Sequence, residues 1–175
     1  MNGKTHIAGA LALTSAVSLL SIKTGTFIDK QHFFLQQGTL LAASGLGGLL
    51  PDIDHKNSTI TKSNPVAGFF IRLFLTHRGF THSLLSLAII SAFMWIGARV
   101  IGSGYGYWVV SGFSIGYASH ILLDSLNPKG VPLFYPLKKK FSFGKIKTGG
   151  RVENLVFIGL VLGTVFLEMI LVGMR

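Results

Sequence analysis

Four of the six histidines in this chain sit in three short blocks that also carry carboxylates or face them: Pro51-Asp52-Ile53-Asp54-His55, His77-Arg78-Gly79-Phe80-Thr81-His82 and His120-Ile121-Leu122-Leu123-Asp124. Imidazole and carboxylate together are the ligand set of Zn²⁺, Mn²⁺ or Fe²⁺. A chain that is 49% hydrophobic and holds only six Asp+Glu has little other use for such blocks. With no cysteine, any ion must be held by nitrogen and oxygen donors. Zn²⁺ is the first expectation, and the same donors admit Mn²⁺ or Fe²⁺.

The spacing favours convergence. His120 and Asp124 are four residues apart, so a helix projects them from one face toward the same ion or neighbouring ions. Pro51 is expected to break a helix ahead of Asp52 and Asp54, which lets both carboxylates turn inward off the helical period. With His6 opening the first apolar run and Glu153 preceding the last, the candidate donors are His6, Asp52, Asp54, His55, His77, His82, His120, Asp124 and Glu153. These exceed the need of one ion, so one or two are expected, the latter bridged by a carboxylate, with an activated water as nucleophile. Arg78, beside Gly79, is placed to hold an anionic substrate oxygen, and the Thr81 and Ser83 hydroxyls could assist. Plainer readings stay open for single residues. A His or Asp at a span end is commonly an interfacial group, Arg78 suits a snorkelling cation, and the helix dipole alone favours Glu153 in a first turn. His55 and His77 equally suit orienting a ligand or touching substrate.

Membrane helices must position these groups. Mean hydropathy is +0.56 and only 13% of residues are charged, well outside soluble composition. The expected fold is an all-α integral membrane protein, one domain over residues 1–175, with about five transmembrane helices. The spans run from about His6 to Ile22, Phe33 to Leu50, His82 to Val100, Tyr105 to Leu126 and Leu155 to Val172. The first could instead be read as a signal peptide, but it lacks a convincing small-residue cleavage site. Asn64 and Pro65, followed by Val66, Phe69, Phe70, Arg72, Leu73 and Phe74, predict a short interfacial helix between spans two and three.

With five spans, the N-terminus and the two long loops share one side. That side collects 12 of the 16 Lys+Arg, and the positive-inside rule makes it cytoplasmic. All nine candidate donors fall there. His32 and Asp29 fall on the opposite side, and Glu168, about 22 Å along the last helix from Glu153, lies toward the outer leaflet and outside the site. Between spans four and five, Phe134, Tyr135, Phe141 and Phe143 alternate with Lys138, Lys139, Lys140, Lys145 and Lys147, a mixture suited to anionic headgroups. The net charge of +10 is therefore assigned to membrane lipids rather than nucleic acid. Gly112 and Gly116, the Gly45, Gly47 and Gly48 cluster, and Ala8 with Ala12 predict close helix packing, and would equally allow a homo-oligomer.

At these residues the chain resembles the YdjM-like group of bacterial membrane-bound metal-dependent hydrolases. The likeness rests on Lys4-Thr5-His6, the Gly48 to His55 block, His77-Arg78-Gly79-Phe80-Thr81-His82-Ser83, the His120 to Asp124 block and Thr148-Gly149-Gly150-x-x-Glu153. It implies a multi-span inner-membrane protein with a hydrolytic metal centre, distantly similar in ligand pattern to zinc-dependent phospholipase C. Together with the basic surroundings, it gives the expected function: hydrolysis at the cytoplasmic membrane face of an anionic, lipid-like substrate, a phosphoester of a lipid or lipid-linked molecule. The alternatives are a metal transporter or sensor, and a structural membrane protein whose metal staples helix ends. Against transport stands the expectation that polar groups stop at the inner ends of the spans, Glu168 apart.

Overall fold

Glycine, serine and proline mark the helix ends. The computed structural model of the protein describes residues 1–25, 32–54, 79–102, 104–137 and 139–174. Helix α1 runs Gly3–Thr24 and closes on Gly25, whose φ of 65° suits a residue without Cβ. Helix α2 runs Phe33–Leu49. Pro51 then brings no N–H to the helical ladder, and the chain tightens into a 3-10 turn over Leu50–Asp54. Helix α3, Leu84–Ile101, starts from Ser83, whose side chain accepts the Ser86 N–H as an N-cap. Helices α4, Gly106–Ser125, and α5, Arg151–Gly173, complete the set. Expectations placed on His55, His77, Arg78 and the interfacial helix after Asn64 lie outside the described residues, as does the side chain of Asp54.

Helix α1 packs against α2, α4 and α5, and α3 packs on α4. The closest approach is between α2 and α4, and glycine makes it. A Cβ on Gly112 would stand 2.4 Å from the Leu40 carbonyl oxygen, one on Gly116 1.9 Å from that of Ser44, and one on Gly47 2.1 Å from that of Phe113. The two backbones therefore touch, as small residues permit in membrane bundles. Around this seam Ala43, Phe113, Tyr117, Ile121 and Val131 form a buried cluster, flanked by Leu50, Leu87, Ile90, Met94 and Leu133. On the outer faces of α3 and α5, Phe93, Ile96, Leu155, Leu162, Phe166 and Met169 are exposed, as lipid-facing residues should be.

The chain is an all-α membrane protein, and its described residues form no β-strand beyond the isolated antiparallel bridge of Val131 with Phe141. Among the described residues four helices, α1, α2, α3 and α5, are long and apolar enough to cross a bilayer. By length and composition the described residues thus give about four spans, against the about five expected from sequence. Helix α4 is 20 residues long but too polar to qualify, because Ser111, Ser114, Ser119, His120, Asp124 and Ser125 punctuate it. Its neighbours α1, α2 and α3 cover it, so packing rather than lipid contact holds it in place.

A second difference concerns the bundle interior. Thr14, Ser15, Ser18 and Ser21 of α1 and Gln36, Gln37 and Ser44 of α2 are buried, so polar groups continue well beyond the N-terminal end of α1. Glu168 of α5 accepts hydrogen bonds from Ser15 Oγ and Gln37 Nε2, each at 2.6 Å, and Ser18 Oγ donates to Gln37 Oε1 at 2.7 Å. A carboxylate among apolar spans must find such donors, and these tie three helices together.

Candidate metal centre

The donors meet where alternating helices end. The N-terminal residues of α1, α3 and α5 and the C-terminal residues of α2 and α4 lie at one end of the bundle. There His6 stacks on His120 with ring centroids 3.7 Å apart, His120 Nδ1 bonds the Gly48 carbonyl, and Asn2 bonds Glu153. Asp52 arrives on the 3-10 turn that Pro51 imposes, His82 on the turn before α3, and His120 and Asp124 on the last turns of α4.

Asp52, His82, His120 and Asp124 each point one ligand atom into a common space, with all four atoms within 4.8 Å of one another. His82 Nε2 lies 3.5 Å from Asp52 Oδ1 and 3.5 Å from Asp124 Oδ2. His120 Nε2 lies 3.8 Å from Asp52 Oδ1, 3.5 Å from Asp124 Oδ2 and 3.4 Å from His82 Nε2. Four ligands about 2.0 to 2.1 Å from a tetrahedral ion stand about 3.3 to 3.4 Å from one another, so this set has nearly the dimensions the ion needs.

Hydrogen bonding prepares the same nitrogens. The Gly48 carbonyl can only accept, so His120 Nδ1, 2.7 Å away, carries the proton, and in the neutral ring Nε2 presents its lone pair to the other donors. His82 Nδ1 lies 3.0 Å from Thr81 Oγ1, which leaves Nε2 facing the carboxylates. Two carboxylates and a lone pair turned toward one point could hold a metal ion.

His6 stands beside this group. It is fully buried, and its Nε2 lies 3.2 Å from Asp124 Oδ1 without the alignment of a hydrogen bond. Its Nδ1 has no hydrogen-bond partner among the described residues. The two oxygens of Asp124 thus face different ways, Oδ2 toward His82 and His120, Oδ1 toward His6 and the Met1 nitrogen that donates to it.

Other residues named from sequence have other partners here. Glu153 is buried, but it accepts from the backbone N–H groups of Asn2 and Gly149 and from Asn2 Nδ2 rather than joining the four donors. It fastens the start of α5 to the start of α1, and Gly149, with φ 76°, supplies the left-handed turn that lets the carboxylate reach back. Ser83 is buried, donating to the Phe80 carbonyl and capping α3, and Thr81 is buried against His82. Their hydroxyls serve the ligand turn. His32 and Glu168 do not join the donor group. Sequence reasoning did not single out Tyr117, a fully buried tyrosine whose hydroxyl donates to the Thr81 carbonyl at 2.6 Å. Its position one turn before His120 was the available signal.

Comparison with known proteins accords with this picture. The family model of the YdjM inner membrane protein matches residues 1–174. The protein YvsG of Bacillus subtilis (strain 168) is 32% identical over 168 residues, covering 95% of this chain and 93% of that one. The inner membrane protein YdjM of Escherichia coli (strain K12) is 33% identical over 130 residues, 68% of this chain and 61% of its own length. The Shigella flexneri protein of the same name matches equally. No solved structure matches the chain.

Proposed function

We propose, from the premise that this chain belongs to the YdjM inner membrane protein family, that its four converging donors hold a divalent metal ion that hydrolyses an ester at the cytoplasmic membrane face. The substrate class is a phosphoester of a lipid or lipid-linked molecule. The observation that carries the reading is the tetrahedron-sized group of Asp52, His82, His120 and Asp124, closed on one side and accessible on the other. The His120 side chain is 0% exposed, while His82 is 15% and Asp52 30% exposed, so substrate would approach over Asp52 and His82. A metal serving only as a staple has no need of an open side.

Zn²⁺ fits the two imidazoles and two carboxylates best, and His6 with Asp124 Oδ1 offers partial ligation to a second ion. An ion held here supplies Lewis acidity and an activated water near neutral pH. The chain's own groups do the rest. His120, bonded to the Gly48 carbonyl, and His82, held at Thr81, keep their Nε2 atoms fixed. Exposed Phe134, Phe143, Lys139 and Lys140 border the same end of the bundle and suit an anionic lipid. Arg78 retains its proposed part as the group that holds an anionic oxygen. Purified, zinc-loaded protein should cleave at least one member of a panel of phosphoester and carboxyl-ester lipids, and chelation should abolish that turnover. Cleavage of none of them would end the hydrolase reading.

Transport is the second reading, favoured by the buried polar groups along α1 and α2. Glu168, Gln37, Ser15 and Ser18 satisfy one another in a closed set, which suits a tether between helices better than an ion path. Protein in sealed vesicles that carries zinc across the bilayer while cleaving nothing would reverse this preference.

The orientation proposed here follows from the sequence reading, in which 12 of the 16 Lys+Arg share the side of the candidate donors. Reporters active on one side of the membrane, fused after Arg175 and inserted near Lys139, should give opposite answers. Matching answers would show that α5 does not cross the bilayer between them.

A further inference from the structure

We infer that Tyr117 is a positioning residue for the metal centre, acting through His82; the inference rests on the metal-binding reading above. Tyr117, His120 and Asp124 are spaced by three and then four residues, so α4 presents them along one face. The helix that carries two of the four donors therefore also carries the side chain that grips the third.

The grip is specific. Tyr117 is 0% exposed and sits in a cluster otherwise made of Ala43, Phe113, Ile121 and Val131. Phenylalanine would fill that place equally well, and a buried hydroxyl is costly unless bonded. This hydroxyl donates to the backbone carbonyl of Thr81 at 2.6 Å and lies 3.0 Å from Ser86 Oγ. Thr81 in turn places Oγ1 3.0 Å from His82 Nδ1. His82 belongs to a turn rather than to a helix, so no regular backbone ladder sets its position. The Tyr117 hydroxyl does so from the same helical face as His120 and Asp124, fixing the spacing of three ligands with one rigid side chain. Metal sites need their ligands within about 0.5 Å of the productive geometry.

The experiment compares Tyr117→Phe with Ser114→Ala. Ser114 Oγ bonds Ser91 Oγ at 2.7 Å, a hydrogen bond that joins the same two helices away from the donors. Zinc affinity is measured by competition with a chelating dye, and geometry by the visible absorption of the Co²⁺-substituted protein. Tyr117→Phe should weaken zinc binding about 10- to 100-fold, as the loss of a group supporting a ligand does. It should also change the Co²⁺ spectrum, whereas Ser114→Ala should leave both as in the wild type. In a His82→Ala background, adding Tyr117→Phe should cost nothing further. Wild-type affinity and spectrum in Tyr117→Phe would overturn the positioning role alone. So would an undiminished effect of Tyr117→Phe in the absence of His82, or an equal effect from Ser114→Ala. Wild-type protein that binds neither zinc nor cobalt would overturn the metal reading and this inference with it.

Discussion

Replacing His120 by alanine should abolish zinc binding by the purified protein and lower any metal-dependent turnover by about 100-fold or more, beyond what loss of a supporting group costs. His120 is the most deeply set of the four donors, fully buried, with Nδ1 committed to the Gly48 carbonyl and Nε2 within 3.8 Å of the other three. Alanine there leaves three donors and a void between His6 and His82. The electrostatic consequence adds to the loss. The ligand oxygens of Asp52 and Asp124 lie within 4.8 Å of one another, and without a cation two such charges repel by about 3 kcal/mol at an effective dielectric near 20. The variant and chelator-treated wild type should therefore share a lowered melting temperature that added zinc restores only in the wild type. Elemental analysis, with melting curves recorded with and without zinc, checks this. Unchanged zinc content in His120→Ala would remove this residue from the coordination sphere.

The residues of the donor group were visible in the sequence because scarce side chains in an apolar chain attract attention. Asp52, His82, His120 and Asp124 all belong to blocks that already suggested a shared site for one or two ions. Pro51 and the glycines also revealed the break after α2 and the packing seam, since backbone chemistry acts locally. What escaped depended on partners distant in sequence. Glu153 looked like a donor by residue type, yet its oxygens are taken by Asn2, 151 residues away, and by Gly149. Tyr117 looked like one more aromatic of a span, and only the fold reveals that its hydroxyl meets Thr81, 36 residues earlier. Helix α4 was read as a span on its apolar residues, though its serines, His120 and Asp124 leave it more polar than the others, and only the fold shows that three neighbouring helices cover it. Glu168 was set aside for its depth, and no local signal announced Ser15 and Gln37 as its donors.

Close helix packing and ligand placement should prove inseparable, and Gly116→Ala tests the connection. The added Cβ would meet the Ser44 carbonyl oxygen at 1.9 Å, with the Ser44 carbonyl carbon and Cα at 2.7 and 2.8 Å. All three are backbone atoms, so no side-chain rotation relieves the clash and the helices must separate. Overpacking of this kind costs about 1 to 3 kcal/mol. Separation moves the C-terminal end of α2 away from α4, and that end carries both Asp52 and the Gly48 carbonyl that orients His120. Gly116→Ala should therefore lower thermal stability and weaken zinc binding together, although Gly116 touches no ligand atom. Gly45→Ala is the matched control on α2, because a Cβ there meets nothing within 4 Å. In this half-buried helical position with open space beside it, alanine should leave stability equal to or slightly above wild type, with zinc affinity unchanged. Equal zinc affinity in Gly116→Ala, despite a lowered melting temperature, would show that the centre is held by its own hydrogen bonds and not by the α2–α4 seam.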